Sequence, residues 1–167
     1  MGHEITRRQA TFWDLRHDGR LERIHFLGKE EFAFVEPSAL SFSIVEQHPL
    51  LIDYEFAWET IYIAGPADAP DHVLRTLTEA IEARADGWRS ATSYLNPVGD
   101  ERILRDGYGN VLAAPISIAE VSRDVLDAAG VPFTSLPGRP PRWPRQALIA
   151  GVNHVVAKSF RVEVVVS

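Results

Sequence analysis

Cysteine is absent from the 167 residues. Its absence excludes disulfides, thiolate nucleophiles and cysteine-based zinc sites together, and says nothing about compartment, because either redox environment tolerates a cysteine-free chain. Long apolar runs are missing as well. The opening stretch, MGHEITRRQATFWDL, holds no uninterrupted hydrophobic segment and reads as neither a secretory signal nor a membrane span, so a cytoplasmic protein with no membrane partner is the expectation. No metal-ligand spacing, nucleophile signature or dinucleotide fingerprint occurs, and neither a metal nor a cofactor is expected. The glycine-rich DGYGN at 106–110 is read as a turn, since no strand feeds it and no P-loop lysine follows.

No repeat, low-complexity tract or linker divides the chain, and a single domain spanning 1–167 is expected. At 18.6 kDa it is long enough to bury its own core. A hydrophobic content of 46% with 24% charged residues is that of an ordinary folded, water-facing protein.

Charge of one sign is missing from two long stretches. Between Lys29 and Arg75 there is no Lys or Arg, whereas Glu30, Glu31, Glu36, Glu46, Asp53, Glu55, Glu59, Asp68 and Asp71 all fall there. From Ala128 to Val162 there is no carboxylate, and Arg139, Arg142, Arg145, Lys158 and Arg161 are all basic. The two stretches either neutralise each other across a sheet or form two surfaces of opposite sign.

What is present is strand signal. TFWDLRH and RLERIHFL flank Asp18-Gly19, the favoured two-residue hairpin turn, which sets His17 opposite Arg20, Asp14 opposite Arg23 and Trp13 opposite Ile24. Gly28-Lys29 reads as a turn into a short strand, EFAFV. LSFSIVE alternates, with Leu40, Phe42 and Ile44 inward. In LLIDYEFAWETIYI, residues 50–63, period two places Ile52, Tyr54, Phe56, Trp58, Thr60 and Tyr62 on a core side and Asp53, Glu55 and Glu59 on a solvated one.

Asp68 to Gly87 reads as a helix with Asp68 at its cap, Pro70 in its first turn and Gly87 as its left-handed stop. Ser117 to Ala129 reads as a second helix, opened by a Ser117/Glu120 capping box and closed by Gly130. Between them, Arg102–Leu104 and Val111–Ala113 suggest a small hairpin. SLPGRPPRWPR is an extended proline-fixed loop, and the β-branched C-terminal stretch returns to the sheet. The expected fold is α+β: a mainly antiparallel sheet of about six to eight strands with two packed helices.

The carboxylates Asp53, Glu55 and Glu59, flanked by Glu46, Glu36, Glu30 and Glu31, form the leading candidate site: an acidic sheet face that neutralises or chaperones a basic protein, as toxin-blocking immunity proteins do. A toxin or secreted effector is the kind of partner expected, with the protein itself a monomer or homodimer. The alternative is a small enzyme or ligand-binding domain with a pocket between sheet and helices, using His25 or His154 with a carboxylate. The six histidines show no metal-ligand spacing. Three arginines around Trp143 could contact RNA, but a sequence pI of about 5.5 opposes nucleic-acid binding, and no nucleic-acid partner is expected.

Overall fold

The strands flanking Asp18-Gly19 pair in the expected register. In the computed structural model, Trp13 lies opposite Ile24, Asp14 opposite Arg23 and His17 opposite Arg20. The structure describes residues 4–9, 12–17, 20–33, 42–55, 57–97, 100–138, 145–150 and 153–165. In chain order these form strands β1 (Glu4–Gln9), β2 (Phe12–His17), β3 (Arg20–Ala33), β4 (Ser43–Val45) and β5 (Trp58–Ile63). Helices α1 (Pro70–Arg84) and α2 (Asp100–Asp106) follow, then β6 (Gly109–Pro115), helix α3 (Ile116–Ala128) and strands β7 (Phe133–Pro137), β8 (Gln146–Ala150) and β9 (Asn153–Val165).

The class is α+β with antiparallel pairing throughout, as expected, but the strands form two sheets rather than one. Two compact units contain them: a discontinuous one from residues 1–51 and 143–167, and a continuous one from 52–142. Two 3-10 turns, Pro49–Tyr54 and Ala91–Ser93, complete the elements.

The discontinuous unit is a six-stranded sheet of order β1-β2-β3-β9-β8-β4, so the C-terminal strands do return to the N-terminal meander. β3 is one strand, not a strand, a turn and a second strand. Gly28 takes a positive φ of 64° and the ladder to β9 slips between Lys29 and Glu31, so the glycine makes a bulge that bends the strand without ending it. Trp13, Ile24 and Phe26 on β2 and β3 pack with Leu148, Val155 and Ala157 on β8 and β9. The Trp13 and Phe26 rings meet edge to face at 5.5 Å. Phe42 packs on this core, but Ile44, expected inward, is exposed; Leu40 lies outside the described residues.

The continuous unit is a three-stranded sheet of order β6-β5-β7 with α3 packed on β5 and β6 and α1 packed on α3. Ile61 and Ile63 of β5, Leu77 and Ile81 of α1, and Ile118 and Leu126 of α3 share its core. α1 begins at Pro70 with Ala69 as its cap residue and no side-chain cap bond, so Asp68 does not cap it. The helix does end in a left-handed turn, but the residue that follows the cap position Ala85 is Asp86, with φ +49° and its N–H on the Ala83 carbonyl; Gly87, expected as the stop, comes one residue later with φ +72° and its N–H on the Glu82 carbonyl. Arg102–Leu104, expected as half of a hairpin, is helical and belongs to α2; only Val111–Ala113 is in a strand. Gly107 explains the junction. Its φ is +80°, and a Cβ there would lie 2.7 Å from Pro66 Cδ, so only glycine lets the chain leave α2 at this point.

Candidate functional site

The stretch expected to carry an acidic strand face is divided by its own burial. Leu50, Leu51 and Ile52 are consecutive and all buried, which a strand facing water on one side cannot achieve, and the chain instead forms the 3-10 turn Pro49–Tyr54. His48 holds its start, its Nδ1 accepting from the Leu50 N–H at 3.1 Å. Asp53 therefore sits on a turn, Glu55 after it, and only Glu59 is on β5, so the three do not share a strand face.

Each of the three is engaged within the continuous unit. Asp53 Oδ2 accepts from Arg89 Nε at 2.7 Å, and Oδ1 accepts from the Tyr94 hydroxyl at 2.7 Å. Burial, and then that hydrogen bond, push the Tyr94 hydroxyl well above the ordinary tyrosine range. Glu55 accepts from the Ser117 N–H at 3.1 Å and from Ser117 Oγ at 2.5 Å. Ser117 is thus not the cap of α3: that helix starts at Ile116, Ser117 is buried in its first turn, and the Glu55 carboxylate takes the capping role from outside the helix.

Glu59 pairs with Arg123 of α3 and accepts from Ser135 Oγ of β7 at 2.5 Å. Extending the period-two reading to Ile61 and Ile63 gives the reason. Both are buried in the core, so the side of β5 that carries Glu59 faces inward, while Tyr62 on the aromatic side is exposed. The expected inside and outside of β5 are reversed. The counter-charges are Arg89 and Arg123, neither from the C-terminal basic block, of which Arg139 and Arg142 lie outside the described residues.

The flanking candidates are scattered in the discontinuous unit. Glu46 is exposed and accepts from Gln146 Nε2 at 2.9 Å; Glu30 lies on β3; Glu36 lies outside the described residues. Glu31 contacts His154 Nε2 at 3.2 Å, and Glu163 contacts His25 Nε2 at 3.1 Å. Both histidines expected in an alternative pocket therefore do meet a carboxylate, each across the β3–β9 ladder. The two pairs stand apart, however, with His25 opposite Arg161 and His154 opposite Ala33. The hydrogen bond from His25 holds the Glu163 carboxyl below its usual range. Among the described residues no three His, Asp or Glu side chains converge as metal ligands would.

A concave feature of the continuous unit has no counterpart in the expectations drawn from the sequence. It is a half-open cleft of about 390 Å³. Trp58 and Thr60 of β5 and Ala113 of β6 supply its sheet side, and the segment from Ser93 to Pro97 supplies a wall. That segment is held by strand-like pairing to β6: Ala113 N–H donates to the Tyr94 carbonyl at 3.1 Å and Asn96 N–H to the Val111 carbonyl at 3.0 Å. The Asn96 amide also donates to the Asn110 carbonyl at 2.9 Å. The Trp58 and Tyr94 rings meet at 6.3 Å with 63° between their planes. Neither His25 nor His154 lines this cleft. A sequence signal did exist: Trp58, Thr60 and Tyr62 alternate with Glu59, Ile61 and Ile63, and two isoleucines identify the core side better than one carboxylate identifies the solvent.

Several exposed carboxylates lie elsewhere in the same unit. Glu79 and Glu82 on α1 and Glu120, Asp124 and Asp127 on α3 all face solvent, none with an ion-pair partner among the described residues. No described helix is long and apolar enough to cross a membrane. No protein-family model, no curated protein and no solved structure matches the chain.

Proposed function

We propose that the chain is a binding protein that takes a small ligand in the Trp58–Asn96 cleft. The observation that carries this reading is the cleft's composition: an indole and a phenol ring beside two asparagine amides and the Ser93 and Thr60 hydroxyls, in a volume within the range of small-molecule sites. Carboxylate Glu59 lines it too, but is committed to Arg123 and Ser135. The ligand-binding alternative thus moves from the histidines to the aromatic side of β5.

A second reading retains the basic protein partner but places its contact on the helices. Six exposed carboxylates on α1 and α3, Asp71 beside Arg105 being the sixth, stand against the exposed Arg75 and Arg84, and such an imbalance speeds encounter with a cationic surface. One amide NMR map separates the two. Mixtures of neutral small molecules are expected to shift Trp58, Thr60, Asn96 and Ala113, and a lysine-rich peptide to shift α1 and α3. If only the peptide produces a response, confined to the helices, the cleft reading falls and the acidic one stands.

A further inference from the structure

Resting on the cleft reading, we infer that its ligand class is a neutral saccharide, a mono- or disaccharide unit whose ring lies on Trp58. Charge decides the first part. Of the cleft's ionisable side chains, Glu59 is neutralised by Arg123 and the Tyr94 hydroxyl is held by Asp53, while among the described residues no lysine, arginine or histidine lines the space. Among the described residues a phosphate or carboxylate finds no cation there, and a basic group finds no uncommitted carboxylate.

Ring geometry decides the second part. A nucleobase is bound by stacking between parallel planes, commonly with cationic support for its backbone. Trp58 and Tyr94 stand at 63° and leave no parallel slot. One half-buried indole with a second ring edge-on suits a puckered ring with an apolar C–H face and hydroxyls around its rim. Amide and hydroxyl side chains, which both donate and accept, complement such a rim: Asn96, Asn110, Ser93 and Thr60. Asn110 adds a specific demand. Its Oδ1 is buried and accepts no hydrogen bond among the described residues, so a ligand hydroxyl reaching it would supply a missing donor.

The test uses the full chain and the indole resonances of its four tryptophans. Cellobiose, maltose and diacetylchitobiose are titrated beside adenosine, glucose 6-phosphate and a lysine-rich peptide. At least one neutral disaccharide is expected to shift the Trp58 indole and Asn96 amide saturably, with Trp58→Ala abolishing the response. Asn110→Leu is expected to weaken it about five- to tenfold while leaving thermal stability unchanged or raised, because it deletes an unsatisfied polar atom. A purely structural asparagine would lower stability and leave affinity alone. If adenosine, the phosphosugar or the peptide shifts the cleft resonances and no neutral disaccharide does, the saccharide assignment is overturned while the cleft reading survives. Silence from every probe, and from the small-molecule mixtures above, overturns both.

Discussion

In the discontinuous unit charged side chains answer one another across neighbouring strands; in the continuous unit one short stretch, Asp53 to Glu59, reaches the Arg89–Tyr94 segment, the start of α3, the middle of α3 and β7. Asp14 and Arg23, nine positions apart, form a two-pronged pair at 2.6 and 2.9 Å on adjacent strands of a hairpin. Glu59 and Arg123 are separated by 64 positions. Carboxylates of the same type serve either to reinforce one ladder that backbone pairing already sets, or to fasten a stretch to helices and segments that no ladder joins to it, Glu59 also reaching the ladder neighbour β7 through Ser135. The second use carries more structural consequence per residue, and the cleft wall depends on it, because Tyr94 is held from behind by Asp53.

The comparison breaks most visibly at Asp53. Asp53→Ala leaves the buried Tyr94 hydroxyl and the half-buried Arg89 without this acceptor and is expected to destabilise by about 3 kcal/mol, read from the denaturant midpoint. The same change should bring the Tyr94 titration, followed by ultraviolet absorbance, down toward the ordinary value of 10.0. The sign of the wild-type effect follows: a hydroxyl whose folded-state pKa is raised contributes stability in full below pH 10.0, and that contribution is lost as pH rises beyond it. Equal stability of wild type and variant would show that the stretch is not a fastener.

A smaller loss, about 2 kcal/mol, is expected for Glu59→Ala, since Arg123 and Ser135 stay within reach of water. Glu55→Ala should cost about 1 kcal/mol as a lost helix cap, and Glu55→Gln less, because its amide oxygen can still accept from Ser117. Hydrogen exchange in the first turn of α3 reads this directly, and an unchanged rate after Glu55→Ala would remove Glu55 from the capping role.

The smallest effect belongs to the ladder. His25→Ala should raise the Glu163 titration toward 4.5, as followed by carboxyl carbon NMR, with little change in folding. In the wild type the depressed Glu163 contributes stability above its unfolded value that is lost as pH falls through its folded one. A large folding defect from His25→Ala would erase the contrast between the two units.

The fold is legible in the sequence where partners are close along the chain. The hairpin register followed from Asp18-Gly19 because a two-residue turn leaves one pairing that keeps Trp13 with Ile24 and Asp14 with Arg23. The stop at Gly130 is legible because a left-handed cap is a property of one residue, whereas at the end of α1 Asp86 takes that conformation one residue before Gly87. The fold is not legible where a residue's role depends on distant elements. Gly28 looks the same in sequence whether it turns a strand or bends it, and the length of partner strand β9 decides which. Ser117 resembles a cap until Glu55 reaches it.

Sequence alone determined an antiparallel α+β protein with its two longer helices and the hairpin that starts it, since turn chemistry and periodicity act over a few residues. Only the tertiary structure decided that the strands divide between two sheets, that Asp53, Glu55 and Glu59 point to internal partners, and that Trp58 opens onto a cleft. The physical reason is that a carboxylate is stabilised by whichever donor folding brings to it, and charge counted along the chain holds no information about which donors arrive.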